Sequence, residues 1–231
     1  MVKDSINKIK ERISSVCSGL NQDPGRIVIV AVTKGRTPAE VKEAIEAGLT
    51  DIGENRVQEA AVKYNAIQAK GTGNPPAINW HMVGHLQTNK VKEAVGIFGL
   101  IQSVDSLRLA REIDKEAAKI NKVQDILIEI KTSPEATKSG INPDEALKAV
   151  EEIAGFKNIY IKGLMTIAPV TDDPAAARPY FKVLRELKDK INGSRIIDHE
   201  LQVLSMGMTD DFEAAIEEGS NMVRLGRAIF E

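Results

Sequence analysis

The chain has 231 residues, of which 42% are hydrophobic and 28% are charged, with 17 Gly and 9 Pro. This composition is typical of a globular protein and excludes the collagen-like, disordered and disulfide-rich classes. The chain has 31 Lys and Arg residues and 33 Asp and Glu residues, so its net charge is −2. It lacks the excess of basic residues that would indicate binding to nucleic acid. The length permits two small domains or one barrel, which typically needs about 200 to 250 residues.

Cysteine content and hydropathy bear on the compartment. Cys17 is the single cysteine and has no partner for an internal disulfide, as expected in a reducing compartment. Residues 1–13 mix charged and apolar side chains and lack the apolar centre of a secretion signal. No later segment reaches the roughly 20 apolar residues of a spanning helix. We therefore expect a cytoplasmic protein without membrane contact.

The first elements in the chain alternate between helix and strand. Apolar residues recur at helical spacing over residues 1–20, which predicts an amphipathic helix. The β-branched run over residues 27–33 predicts a strand that is buried on both faces, as in a parallel sheet. A second helix follows, with Thr37 as its N-cap, Pro38 at its first position and Glu40 at its third.

The same alternation continues through the rest of the chain. Eight strands and eight helices without a linker predict one α/β domain over residues 1–231, most simply a (β/α)8 TIM barrel. An open doubly wound sheet is the alternative, but its usual glycine-rich phosphate-binding turn is missing after the first strand. The further strands are predicted near 50–53, 78–83, 98–103, 124–131, 158–164, 197–204 and 221–225, and the further helices near 55–69, 88–96, 106–120, 143–154, 174–191 and 210–218.

The end of the sequence tests the barrel prediction. Residues 227–231 follow the eighth strand, and they are too few for an eighth outer helix. We therefore expect the N-terminal helix to cover the seam between strands eight and one.

Lys34 follows the first predicted strand and shares the face of Val28, Val30 and Val32, given the two-residue period of a strand. In a TIM barrel, functional residues lie at the carboxyl ends of the strands. If this face is the barrel interior, Lys34 stands in a partly desolvated position, where burial lowers a lysine pKa and favours Schiff-base chemistry. An exposed or ion-paired structural lysine is the alternative.

Two glycine-containing turns follow the seventh and eighth predicted strands, at residues 205–208 and 224–227. TIM barrels often bind phosphate with these two loops, so the turns predict a phosphate site built on backbone amides and the Ser205 hydroxyl. Asp210 and Asp211 would repel a phosphate if they pointed at it. As the first residues of a helix, they would instead interact favourably with its dipole.

Arg224 lies in phase with Met222 and Gly226, on a face of the eighth strand that is either the interior or the outer one. An interior guanidinium needs a partner. It either forms a structural ion pair, for instance with Glu129 or Glu200, or presents its charge to a ligand ring. The sequence leaves both interpretations open.

Three further polar residues lie near predicted strand ends. Asn55 is either a site residue or only the N-cap of the next helix. His81 and His85 are four residues apart, a spacing that would suggest a metal pair on a helix. Here the spacing spans a strand and its exit, so the rings need not converge and we expect no metal site.

Six segments together resemble a known family, the pyridoxal phosphate homeostasis proteins, formerly called proline synthetase co-transcribed proteins. That family is similar to the N-terminal barrel of alanine racemase, the fold-type III architecture for pyridoxal phosphate. The resemblance covers nearly the whole chain. The segments are VTKGR at 32–36, GENRVQE at 53–59, WHMVGHLQTNK at 80–90, TKSG at 137–140, GLMTI at 163–167 and LSMGMTDDFEAAIEEGSNMVRLGRAIF at 204–230.

The resemblance implies a role for individual residues. Lys34 would form the internal aldimine with the aldehyde of pyridoxal 5'-phosphate. Arg224 would face the pyridine nitrogen, where a cation disfavours ring protonation and weakens the cofactor as an electron sink. Asn55 would contact the ring, and His85 and Met165 would form pocket walls. The residues that match the phosphate-holding turns are Ser205, Met206, Gly207, Gly226 and Arg227.

The resemblance also implies a function in vitamin B6 and amino-acid homeostasis, without robust catalysis. Alanine racemases use a second acid/base, a tyrosine on an additional C-terminal domain. This sequence ends with the barrel, and we expect none of its tyrosines, Tyr64, Tyr160 and Tyr180, at the strand ends. The implied partners are pyridoxal phosphate and, as recipients, pyridoxal phosphate-dependent apoenzymes, with the protein a monomer or weak dimer.

Two enzymatic alternatives stay open. One is an amino-acid racemase or decarboxylase that uses Lys34 alone or together with His85. The other is a Schiff-base aldolase that acts on a sugar phosphate with the same lysine and phosphate cradle but without a cofactor.

Overall fold

Eight parallel strands close into a barrel in chain order, each pairing with the next and the last pairing with the first. The structure is a computed structural model that describes residues 1–68, 77–135, 139–171 and 173–231. The predicted (β/α)8 fold is confirmed. The strands are β1 (Val28–Val32), β2 (Asp51–Glu54), β3 (Asn79–Met82), β4 (Leu100–Val104), β5 (Gln124–Glu129), β6 (Ile159–Met165), β7 (Val203–Ser205) and β8 (Met222–Leu225).

Helices surround the barrel and alternate with the strands. Short 3₁₀ turns at Thr88–Lys90, Pro143–Glu145 and Pro174–Ala177 precede three of them, where the sequence predicted continuous helices. In the described part of the chain no helix is both long enough and apolar enough to cross a lipid bilayer. The helices are α1 (Val2–Gly19), α2 (Pro38–Glu46), α3 (Val57–Gln68), α4 (Val91–Ile97), α5 (Leu107–Ala118), α6 (Ala146–Ala154), α7 (Arg178–Ser194), α8 (Phe212–Glu217) and α9 (Arg227–Phe230).

Helix α1 covers the seam, as predicted. It contacts α2, α8 and the one-turn helix α9, which the sequence did not predict. Arg12 of α1 donates to Glu213 of α8 over 2.9 Å, and its guanidinium lies 4.6 Å from the centre of the Phe212 ring. One face of α1 therefore takes the place of the missing eighth outer helix.

Two apolar layers hold the barrel together. The inner layer fills the barrel and includes Val30, Leu127 and Met165. The outer layer lies between strands and helices and includes Ala31 of β1. Because Val28 and Val32 pack in the inner layer with Val30, the strand face that leads to Lys34 is the interior face.

The seventh strand is shorter than predicted. The prediction near 197–204 is wrong for its first part, because β7 begins only at Val203. The Leu201 amide donates to the side chain of Asn192 over 2.8 Å, and a ring nitrogen of His199 lies 2.8 Å from the carbonyl oxygen of Ile161. Hydrogen bonds that involve side chains thus hold this segment, and its backbone donates to β6 only near the start of β7, from the Gln202 amide to the Lys162 carbonyl over 2.9 Å among the described residues.

Candidate functional site

A cavity of about 570 Å³ opens at the carboxyl ends of the strands. We call it the mouth cavity. Its volume is within the usual range for small-molecule sites, about 300 to 1,000 Å³. Six of the ten residues assigned to the site from the sequence line it, namely Lys34, Asn55, His85, Arg224, Gly226 and Arg227.

The other four predicted residues lie beneath or beside this cavity. Met165 is fully buried in the inner apolar layer. Met206 is buried in the outer layer, and its amide donates to the carbonyl of Met222 over 3.1 Å. Ser205 and Gly207 do not line the cavity either, within the described part of the chain.

Lys34 stands in a tight turn at the end of β1. The amide of Arg36 donates to the carbonyl of Thr33 over 3.0 Å, and Gly35 takes a φ of +72° between them. A positive φ at the third turn position is characteristic of a type II turn and favours glycine. The Lys34 side chain is exposed, which differs from the predicted partial desolvation, and among the described residues none accepts a hydrogen bond from it or pairs with it.

Arg224 faces the barrel interior. The structure therefore decides which face of β8 carries this side chain, which the sequence left open. Its Nη1 donates to Ser205 Oγ over 2.7 Å and its Nη2 to the carbonyl of Thr166 over 2.8 Å. Burial lowers the pKa of Arg224 to about 10, although the charges of Glu129 and Asp211 act in the opposite direction. The guanidinium therefore stays charged at neutral pH, at the base of the mouth cavity.

The Ser205 hydroxyl is part of a buried network. It donates to Gln102 Oε1 over 2.6 Å while it accepts from Arg224. The hydroxyl thus supports Arg224 from within the barrel. The predicted contact of this hydroxyl with a phosphate finds no support in this geometry, and a phosphate contact of the following loop stays a prediction.

The loop after β7 is held by its own polar contacts. Gly207 takes a φ of +94° and its carbonyl accepts from the Arg224 amide over 3.0 Å. Asp211 accepts from the Met208 amide over 2.6 Å. Burial raises the pKa of Asp211, and its hydrogen bond with Met208 and the charge of Arg224 act against that rise. Asp211 therefore shapes the loop just before α8.

The two loops after β7 and β8 are joined to each other. Arg227 donates to Asp210, and the Ala228 amide donates to Thr209 Oγ1 over 3.3 Å. Thr209 lines the mouth cavity, although the sequence assigned it only to a helix start. Its position directly after the Ser-Met-Gly-Met turn was the signal that could have identified it.

His81 and His85 have different surroundings. His81 is buried in the barrel and contacts Asp51 and Gln102. His85 is 59% exposed at the mouth, and its Nδ1 lies 3.0 Å from Asp105 Oδ2. The two rings therefore do not converge on a common point.

A second cavity of about 650 Å³ adjoins the mouth cavity beside β2 and β3. Lys34, Asn55 and His85 line both cavities. Lys34 is thus open to ligands from two sides.

Several mouth residues were not identified from the sequence as site residues. Their common feature is that they stand at strand ends or in the loops that follow. Of the TKSG segment at 137–140, residues 136–138 lie outside the described residues, while Ser139 lines the cavity. Tyr64, Tyr160 and Tyr180 are not among the described lining residues. The added residues include Arg36, Glu129, Ile167, Val170, Met208 and Glu231.

The chain has close relatives over nearly its full length. Residues 5–231 match the family model described as alanine racemase, N-terminal domain. A pyridoxal phosphate homeostasis protein of Aquifex aeolicus is 40% identical over 227 residues, which cover 98% of this chain and 96% of that protein.

Two solved structures are similar in both sequence and fold. A protein of Bifidobacterium adolescentis described as unknown superposes with a TM-score of 0.90 at 34% identity, covering 99% of this chain and 94% of that one. PipY of Synechococcus elongatus, solved with pyridoxal phosphate bound, superposes with a TM-score of 0.83 at 31% identity. The match covers 96% of this chain and 100% of PipY.

Proposed function

Because the chain belongs to the pyridoxal phosphate homeostasis protein family, we propose that it binds pyridoxal phosphate in its mouth cavity and serves as a carrier of this cofactor. The cofactor is held covalently through the Lys34 amine. The protein acts in vitamin B6 homeostasis in the cytoplasm, as one domain and without robust catalysis. Pyridoxal phosphate-dependent apoenzymes are the proposed recipients, and the carrier is a monomer or weak dimer.

The residues at the mouth fit this cofactor. Pyridoxal phosphate supplies an aldehyde that amines attack and a ring that withdraws electrons. The ligand needs an available amine, a cradle for its phosphate and a contact for its ring nitrogen. Lys34 offers the amine, the loops that carry Thr209, Gly226 and Arg227 offer amides and a cation, and Arg224 offers a guanidinium.

Each mouth residue contributes through its own chemistry. Lys34 must lose a proton before its Nζ can act as a nucleophile. Arg224 would hold a positive charge toward the ring nitrogen, and a cation there would disfavour protonation of that nitrogen and so weaken the ring as an electron sink. Asn55 offers an amide at the side of the cavity. These properties support holding the cofactor more than they support using it.

The observation that carries the proposal is the free amine of Lys34. In the described part of the chain, Arg36 pairs with Glu231, Arg227 pairs with Asp210, and Lys34 has no such partner, although all three line the mouth cavity. An amino group at a cavity wall that is not held in an ion pair is available to a ligand aldehyde once it has lost a proton.

Borohydride trapping tests the proposal. The protein is mixed with pyridoxal phosphate, its visible spectrum is recorded, the sample is reduced, and the modified peptide is identified by mass spectrometry. We expect one modified peptide that contains Lys34 and none in Lys34→Ala. Lys90→Ala is the matched control, because Lys90 lines the adjoining cavity and its loss leaves the adduct in place. An adduct that persists in Lys34→Ala at the same yield contradicts the proposal.

A racemase or decarboxylase is the second candidate. The contact between His85 and Asp105 favours it, because a carboxylate at Nδ1 leaves Nε2 available as a base. Sustained turnover of an amino acid by the loaded protein, lost in both Lys34→Ala and His85→Gln, would establish this activity. The carrier proposal expects no such turnover.

A further inference from the structure

A continuous chain of hydrogen bonds crosses the interior of the barrel. Asp51 Oδ1 lies 3.0 Å from His81 Nε2, and His81 Nδ1 lies 2.9 Å from Gln102 Nε2. Ser205 Oγ donates to Gln102 Oε1 over 2.6 Å and accepts from Arg224 Nη1 over 2.7 Å. Five strands contribute to this chain, which we call the interior chain, and it ends at the guanidinium beneath the mouth cavity.

The Arg224 end determines where the protons lie. A guanidinium can only donate, so Ser205 Oγ must accept from it. The single hydroxyl proton of Ser205 then goes to Gln102 Oε1. The amide nitrogen of Gln102 consequently faces His81 Nδ1, and a nitrogen that receives an N–H must carry a lone pair.

The Asp51 end fixes the role of the second ring nitrogen, Nε2. Burial alone would raise the pKa of Asp51, but hydrogen bonds with His81, Thr50 and Asn79 together hold the pKa below its ordinary value. Asp51 is therefore a carboxylate at neutral pH and can only accept. His81 Nε2 must then donate, and because Nδ1 accepts from Gln102 Nε2, the hydrogen bonds of the ring place its proton on Nε2.

Gln102 satisfies every polar group that it presents. Its oxygen accepts from Ser205, and its nitrogen contacts both His81 Nδ1 and the sulfur of Met222, at 2.9 Å and 3.2 Å. All three partners of this amide are buried in the barrel. A rotated amide would set its N–H groups against the Ser205 proton and its oxygen against the lone pair of His81 Nδ1. The observed orientation therefore gives every group of the interior chain a complementary partner when His81 carries its proton on Nε2.

We propose that His81 and Gln102 are positioning residues that fix the Ser205 hydroxyl and, through it, hold the Arg224 guanidinium in place beneath the mouth cavity. The ring-facing role of Arg224 rests on the proposed function, whereas the interior chain itself does not. Among the described residues, the Arg224 guanidinium donates to Ser205 Oγ and to the Thr166 carbonyl, so loss of the Ser205 orientation removes one of these two hydrogen bonds.

Nuclear magnetic resonance tests the interior chain in the ligand-free protein. We expect the ¹⁵N shifts of His81 to show a neutral ring protonated at Nε2 at pH 7. A cationic ring, or one protonated at Nδ1, overturns the inference. Gln102→Glu is the diagnostic variant, because the introduced carboxylate accepts from both sides and should draw a second proton onto His81.

Hydrogen exchange of the Arg224 Nε–H reports whether the guanidinium is held. We expect Gln102→Leu to accelerate this exchange about fivefold or more, the equivalent of one lost buried hydrogen bond. Gln124→Leu is the matched control, since Gln124 is also a buried strand glutamine, but donates to Gly99 and Asp125 carbonyls away from the chain. Equal exchange in the two variants overturns the inference, and Ser205→Ala gives the same comparison if Gln102→Leu fails to fold.

The loaded protein provides the functional readout. With pyridoxal phosphate bound, we expect Gln102→Leu to shift the visible absorption maximum and to weaken binding about fivefold to tenfold, while Gln124→Leu stays within about twofold. An unshifted spectrum in Gln102→Leu contradicts the positioning role. If the unmodified protein takes up no pyridoxal phosphate, the proposed function fails, and the exchange measurement still decides the inference.

Discussion

Gly207 shows how a single residue shapes the site. Its φ of +94° is strained for any side chain, and a Cβ there would lie 2.6 Å from Ala215 Cβ and 2.9 Å from Phe212 Cα. Gly35 also has a positive φ, +72°, but a Cβ there would meet nothing within 4 Å. An added side chain would therefore meet backbone strain alone at Gly35, but both backbone strain and steric overlap at Gly207.

Alanine substitution at these glycines tests that separation. We expect Gly35→Ala to lower the free energy of unfolding by about 1 kcal/mol, the cost of a left-handed backbone for a residue with a Cβ. Gly207→Ala should lower it by about 3 kcal/mol or more, because overpacking adds to the strain. Urea unfolding measures both. Equal losses would contradict the assigned overlap at Gly207.

Asp51 predicts an acid dependence of stability. Burial alone raises its pKa, but its hydrogen bonds outweigh burial, so the pKa in the folded protein lies below the ordinary value of 3.8. The stabilisation is therefore fully present above pH 3.8 and is lost as pH falls through the lower folded pKa. We expect Asp51→Asn, which can still accept from His81, to flatten this loss. The free energy of unfolding of both proteins is measured in urea between pH 5 and pH 2.5. Parallel plots of this free energy against pH would contradict the role assigned to Asp51.

At the scale of elements, a buried ion pair ties α3 to the first two strands. Lys63 Nζ lies 2.6 Å from Glu54 Oε1 and donates to the Thr33 carbonyl over 2.6 Å. The Glu54 and Lys63 side chains are 0% and 5% exposed, and Glu54 Oε2 has no hydrogen-bond partner among the described residues. Because Thr33 directly precedes Lys34, this pair also supports the turn that presents the amine.

A double-mutant cycle tests the pair. Lys63→Met leaves a buried carboxylate without its cation, and we expect it to lower the free energy of unfolding by about 3 to 5 kcal/mol. The double variant Glu54→Leu, Lys63→Met should recover most of that loss, because no buried charge remains. Chemical denaturation of the four proteins measures the coupling. A double variant no more stable than Lys63→Met would argue against a buried carboxylate as the cause.

Local signals in the sequence predicted helix α2 well, whereas they missed the ion pair. Thr37 Oγ1 accepts from the Glu40 amide and Glu40 Oε2 accepts from the Thr37 amide, the capping box that three-residue spacing predicts. Glu54 and Lys63 are charged residues, and charged residues are expected on the surface when only the sequence is considered. Their burial follows from the packing of α3 on the barrel, which the local pattern does not contain.

At the scale of the whole molecule, α1 closes the ring of helices. Ile6, Ile9 and Ile13 are each at most 3% exposed on the face that packs against the seam. This face therefore provides apolar cover on the outer side of the junction between β8 and β1. The N-terminal helix is thus an integral part of the barrel.

Truncation of that face measures its contribution. We expect Ile9→Ala to lower the free energy of unfolding by about 2 to 5 kcal/mol, the usual cost of a large-to-small change in a packed core. Lys8→Ala, at an exposed position of the same helix, serves as the control and should change stability by less than about 0.5 kcal/mol. Thermal or urea unfolding compares them. A similar small effect for both would mean that α1 is only loosely docked.

The sequence by itself determined the fold class and the family, and it showed which residues share a strand face. The fold and the family could be predicted because both depend on patterns along the chain: the alternation of helices with eight strands, and the order of six family segments. Both the barrel and the family resemblance are confirmed. The two-residue period placed Lys34 on the strand face of Val28, Val30 and Val32, and the structure identified this face as the interior one.

Only the tertiary structure decided which side chains meet. Arg224 contacts Ser205 and Thr166, and Gln102 joins Ser205 to His81, although these residues come from different strands far apart in the chain. Barrel closure and the stagger between strands set these distances, and neither can be read from a local pattern. The sequence therefore specified the candidate chemical groups, while the closed barrel determined their partners, because hydrogen bonds depend on positions in space.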